Sequence, residues 1–121
     1  MRDRDRLSQY GAYQKALELF DVVVADPTPL LNQPALHRLI SQQYASADSV
    51  AANIEEGYGR GSRKEYSQFL IIARGSAQET CGRYGRLKHW LPPHVIEART
   101  ALCGEIIGIL SGSIDTLRER E

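Results

Sequence analysis

The chain has 121 residues, with 15 basic and 15 acidic side chains and a formal net charge of zero. That length holds one domain of about 100 to 200 residues and no second, and 42% apolar with 25% charged residues excludes intrinsic disorder and low-complexity architecture. Unbroken apolar runs such as Phe69–Ala73 fall far below the ~18 residues of a membrane span, the start Met-Arg-Asp-Arg-Asp-Arg lacks a secretory signal's apolar stretch, and two cysteines make no disulfide framework, so a cytoplasmic protein with no membrane association is the expectation.

The apolar spacing is helical nearly everywhere and predicts four helices. The first covers about 11–25, with Tyr13, Leu17, Phe20 and Val24 on one face. Asp26-Pro-Thr-Pro29 ends it, because proline removes a backbone donor and pushes the residue before it out of helical geometry. The stretch from Pro27 to Pro34 then reads as a crossover loop. A second helix over about 34–56 carries the seam Leu36, Ile40, Gln43, Ala47, Val50 and Ile54, and Gly57 is expected to stop it. Ser62-Arg-Lys-Glu65 matches a capping box, so a third helix begins there and continues to about residue 90. Its seam is Tyr66, Leu70, Ala73, Ala77, Thr80, Tyr84, Leu87 and Leu91, and Phe69, Ile72 and Ser76 line a second stripe. Pro92-Pro93 makes a short stop before a fourth helix over about 93–117, through Val95, Leu102, Ile106, Ile109 and Ile114 or Leu117. The fold class expected is all-α, a single antiparallel up-and-down four-helix bundle spanning residues 1–121. Glycines on the last two helices weaken them unless helices approach closely there, and the second apolar stripe predicts self-association.

Few constellations carry chemistry. No Glu-x-x-His exists for a di-iron site, and His37, His89 and His94 are scattered, so neither a metal nor a cofactor is expected. Cys81 and Cys103 lie equally far from the Pro-Pro turn and so stand at similar height on neighbouring helices, with two reduced thiols expected. No nucleophile elbow or phosphate loop is present; Gly57-Tyr-Gly-Arg-Gly-Ser-Arg-Lys64 fits neither glycine-rich pattern. Catalytic residues are therefore not assigned. Between Gly57 and Trp90 seven basic residues face only Glu65 and Glu79, an excess of five positive charges. Within that segment Arg60, Arg63, Lys64, Arg83, Arg86 and Lys88 are candidates for contacting nucleic-acid phosphates, although solvated helix faces explain them equally. Glu79, three residues after Ser76, falls on the second stripe and is expected to be a buried carboxylate, with Asn53, Glu56 and Arg60 as candidate partners fixing helix register.

The run Ser49-Val-Ala-Ala-Asn-Ile-Glu-Glu-Gly-Tyr-Gly-Arg60, then Ser62-Arg-Lys-Glu65 and Phe69-Leu-Ile-Ile-Ala-Arg-Gly-Ser-Ala-Gln-Glu79, resembles the four-helix-bundle family named for the 23S ribosomal RNA intervening sequence; Tyr13-Gln-Lys-Ala16 resembles that family's helix-one start. On this resemblance the structural signature is Asn53, Glu56, Gly57, Gly59, Arg60, Glu65, Gly75, Ser76 and Glu79. It implies an antiparallel bundle that assembles into a homo-oligomeric ring, a pentamer, and a likeness to accessory proteins of diversity-generating retroelements, whose basic rings engage nucleic acid and a reverse transcriptase. The chain departs from the family pattern at Tyr44 and Ala45, where two arginines are common, at Asp48, and at Ala51, where the signature has proline. The function expected is a non-enzymatic, self-assembling helical scaffold for protein partners, with an RNA-binding accessory protein as the alternative.

Overall fold

The computed structural model describes residues 4–120. Met1–Asp3 and Glu121, and with them half of the charged amino-terminal run, lie outside the described residues. A short helix α1 (Arg4–Gln9) precedes four long ones: α2 (Gly11–Ala25), α3 (His37–Tyr58), α4 (Arg63–Arg86) and α5 (Pro93–Glu119). Single 3-10 turns lie at Thr28–Leu30, Pro34–Leu36 and Leu87–His89. The four long helices pack as an up-and-down bundle. α1 has no counterpart in the periodicity reading, being too short to show a period; Leu7 and, just beyond it, Tyr10 pack on the core, and the Tyr10 hydroxyl meets Ser113 Oγ at 2.7 Å.

The segment between α2 and α3 does not cross the bundle. α2 packs beside α3 and α5, so the connection joins neighbours, and its length is spent on two 3-10 turns that place Leu30 and Leu36 in the core. α2 also turns a different face inward from the one that its larger residues mark. Ala12, Ala16, Leu19 and Val23 are buried, whereas Leu17 and Val24 are exposed and Tyr13 and Phe20 only partly covered. The alanines let the helix sit close to α3 and α5, and the bulkier residues flank that contact.

α3 is unbroken through Ala51 and does not stop at Gly57; it ends at Tyr58 with Gly59 as its cap. Gly57 is buried inside the helix, where an added Cβ would stand 2.7 Å from Phe69 Cβ and 3.1 Å from Tyr66 Cδ1. Its bareness is what lets the start of α4 lie against the end of α3. Ser62 then caps α4, its Oγ accepting from the Glu65 backbone N–H at 3.1 Å. By contrast, an added Cβ would meet nothing within 4 Å at Gly75, Gly85, Gly104, Gly108 or Gly112. Close approach within the chain does not account for those five.

By length and composition α5 could cross a membrane, with a mean hydropathy of 1.2 over its most apolar 18-residue window. Glycines and charges break up its apolar runs, which is why run length alone does not reveal this. In the bundle it is the outer wall of the core, burying Leu102, Cys103, Ile106, Leu110 and Ile114.

Candidate functional site

The contact between α3 and α4 is polar along half its length. Gln43 and Ser46 of α3 and Ser76, Thr80 and Arg83 of α4 are all buried. Buried polar groups need partners, and here they supply one another. Arg83 Nη1 donates to Gln43 Oε1 at 2.8 Å and to Ser46 Oγ at 3.0 Å. Gln43 Nε2 donates to the Thr80 carbonyl at 2.9 Å, and Ser46 and Thr80 share a hydroxyl contact of 2.7 Å. The Thr80 hydroxyl proton goes to the Ser76 carbonyl at 2.9 Å, so the Ser46 hydroxyl must donate to Thr80. One turn further on, Asn53 Nδ2 holds the Ser49 carbonyl and hydroxyl at 2.8 and 2.9 Å, and Ser49 Oγ meets Ser76 Oγ at 2.8 Å.

This seam opens to the surface as a cleft of about 340 Å³ whose walls include Ser46, Ser49, Ser76, Glu79 and Arg83. Arg83 Nε is buried there without a hydrogen-bond partner. Burial pushes the Arg83 guanidinium below its ordinary range, and nearby Arg86 adds to the shift while Glu79 opposes it. Glu79 itself is exposed. It is not the buried carboxylate expected, because the outer edge of that stripe faces solvent on the open side of the α3–α4 contact.

A family model for 23S rRNA-intervening sequence protein matches residues 8–111, which takes in both walls of this cleft. The chain belongs to that family. No curated protein matches the chain.

In this member of the family the signature residues fall into two groups rather than one network. Ser76 and Glu79 border the cleft, and Asn53 holds Ser49 in its wall. Glu56, Arg60 and Glu65 instead gather at the α3–α4 turn, where Arg60 pairs with Glu56 at 2.5 Å, lies 3.9 Å from Glu65 and sits over the Phe69 ring at 5.0 Å. These groups are half exposed, so the pairs steady the turn and little more. Gly57 provides the close approach described above, Gly59 caps α3, and Gly75 lies on α4 with nothing within 4 Å of where a Cβ would stand.

The six basic candidates are likewise divided. Arg60 is ion-paired and Arg83 is buried in the seam. Arg63 and Lys64 are exposed at the start of α4, and Arg86 and Lys88 at its other end, about 35 Å away at 1.5 Å per residue. They form two patches, not one face.

At the opposite end of the seam Asp26, the cap of α2, accepts from Tyr84 Oη at 2.7 Å and from Arg99 Nε and Nη2 at 2.9 and 3.0 Å. Burial and the Asp26 carboxylate raise the Tyr84 phenol above its usual value, and the hydrogen bond to Asp26 raises Arg99. Cys81 is half-buried and Cys103 buried, both as free thiols; burial, with Cys81 beside it, pushes Cys103 up to about 12. His37 ties to the Leu31 carbonyl at 2.7 Å, and among the described residues no group of three or more His, Cys, Asp or Glu side chains is placed to hold a metal. Sequence reasoning missed Arg83 and the Asp26 tie as structural centres. Gln43 and Thr80 were visible signals, being polar residues on otherwise apolar seams.

Proposed function

We propose that this member of the family is a non-enzymatic scaffold of the cytoplasm that assembles with copies of itself, as a ring of five, and presents the ring to protein partners. The observation that carries this reading is the outer face of α5. Gly104, Gly108 and Gly112 recur every fourth residue, fall on one stripe and are exposed, with open space beyond each Cβ position. Unneeded glycine weakens a helix by about 1 kcal/mol, and a bare stripe lets a second helix approach closely. Ile72 at 50% and Trp90 at 40% exposure add apolar area outside the core, and Phe20, Leu31, Ile40 and Tyr44 line a further groove of about 670 Å³.

Light scattering on the purified protein gives its native mass. The expected result is about five times 13.5 kDa, with Gly108→Leu shifting the mass toward the single chain while helicity is kept. A single-chain mass for the unaltered protein overturns the proposal.

A nucleic-acid-binding accessory role, as in retroelement accessory proteins, is the second reading. It is favoured by Arg63, Lys64, Arg86 and Lys88, which are exposed and make no ion pair among the described residues. In a ring these two patches would repeat around the rim. The expected outcome is RNA affinity that falls steeply with salt and is lost when the four are replaced by glutamine; salt-insensitive or absent binding rules the role out.

A further inference from the structure

Two opposite charges border the α3–α4 cleft; they act on each other through space, but among the described residues neither is held in an ion pair. Arg83 is only 8% exposed, and no carboxylate among the described residues comes within ion-pair distance of it. Its Nη1 is committed to Gln43, Ser46 and, at 3.4 Å, the Gln42 carbonyl, and its Nε is shut off from solvent without a partner, so Nη2 is the donor of the guanidinium left open to the cleft without an acceptor. Glu79 stands one turn earlier on the same helix and lines the same cleft. Spacing of four residues, with the acid first, is the arrangement in which Glu and Arg pair most readily on a helix. Here Arg83 is instead drawn inward by Gln43 and Ser46, and Glu79 stays outside without a hydrogen bond or ion pair among the described residues.

The chemistry of an occupant follows from that separation. A volume of about 340 Å³ lies at the lower end of the range of roughly 300 to 1,000 Å³ for small-molecule sites. An uncharged molecule would leave both charges unpaired, which is costly for a buried guanidinium. A simple anion would satisfy Arg83 but meet the Glu79 carboxylate, and an amine would meet the reverse problem. A molecule carrying both a carboxylate and an ammonium satisfies each. A carboxylate is planar and accepts charge-assisted hydrogen bonds along the edge of a guanidinium. The Ser49 and Ser76 hydroxyls line the same cleft, one turn beyond Glu79 from Arg83, as polar contacts for the body of such a molecule.

We propose that the cleft binds a small zwitterion of the free α-amino acid class, its carboxylate held by Arg83 and its ammonium by Glu79. The site is built within one chain, so it does not depend on assembly.

Isothermal titration of the purified protein with each of the twenty free L-amino acids tests this, with acetate, methylammonium and inorganic phosphate as probes of one charge type. The expected result is saturable binding of at least one amino acid, one per chain, at least about tenfold tighter than acetate, methylammonium or phosphate, as the loss of one charge-assisted contact implies. Glu79→Gln alters an exposed side chain and leaves the seam intact; it is expected to weaken amino-acid binding about tenfold while acetate binding holds or improves. Arg83→Lys keeps the charge but loses the fork and is expected to weaken both ligands; should that variant fold poorly, Glu79→Gln decides alone. No binding of any amino acid at millimolar concentration overturns the proposal. So does acetate or phosphate binding as tightly as the best amino acid, or amino-acid affinity unchanged by Glu79→Gln.

Discussion

Asp26 receives three hydrogen bonds from two side chains that lie 58 and 73 residues away in the sequence. Its carboxylate joins the end of α2 to the end of α4 and the start of α5. Replacing it with alanine leaves the Arg99 guanidinium and the Tyr84 hydroxyl without their acceptor, at an expected cost of about 3 kcal/mol, whereas Tyr84→Phe removes one hydrogen bond and costs about 1 kcal/mol. Urea denaturation of the two variants checks the ratio; equal losses would show that the tie is not centred on Asp26. Nothing local announces this arrangement. Beside Pro27, Asp26 reads only as the end of a helix, and long-range partners leave no periodic trace. Gln43 and Thr80 were more legible because a polar residue on an apolar seam demands a partner. Glu79 misled for the opposite reason, since a helical wheel places a residue on a stripe without showing which edge of that stripe a neighbour covers.

At the scale of the element, Gly57 and the α5 glycines make opposite demands. An alanine at position 57 would press on Phe69 and Tyr66 where α3 and α4 cross, and Gly57→Ala is expected to lose about 1 to 3 kcal/mol of stability. Gly112→Ala adds a Cβ where nothing stands within 4 Å, and in the isolated chain it is expected to gain up to about 1 kcal/mol. Thermal unfolding of both variants at a concentration too low for assembly separates them, and a loss at position 112 would show that the single chain itself crowds that position. The start of α4 was readable from Ser62 and Glu65 because a capping box is a local device. The inward face of α2 was not, because small residues that permit close packing carry a weaker hydrophobic signal than the larger residues flanking them.

For the whole molecule, the all-helical bundle was legible from spacing alone, since long seams on α3 and α4 with a short turn between them leave little choice but antiparallel packing. The route from α2 to α3 was not, because a proline-rich connection states where a helix ends and not which neighbour follows. The bundle as a whole should be sensitive to alkali. The fold holds Cys103 as the neutral thiol, up to about 12 against an ordinary 9.0, so its contribution is complete below about pH 9 and is lost as pH rises toward 12; Tyr84 acts in the same direction. The expected loss from Cys103 is about 2 kcal/mol at pH 11, measured as the urea midpoint at pH 8 and pH 11, and Cys103→Ala should reduce the difference. A midpoint independent of pH would mean that the thiol is already hydrated in the fold.

α4 has one more consequence, which lies in time rather than in geometry. It packs extensively on both α3 and α5, whereas α2 makes the lesser contact with each. Partial opening is therefore expected to begin with α1 and α2 lifting away, and α4 is expected to give up its backbone protons to deuterium only when the whole chain unfolds, as hydrogen exchange would measure. Both charged walls of the cleft lie on α4, so the binding surface would outlast the breathing of the helix that closes the far side of the bundle.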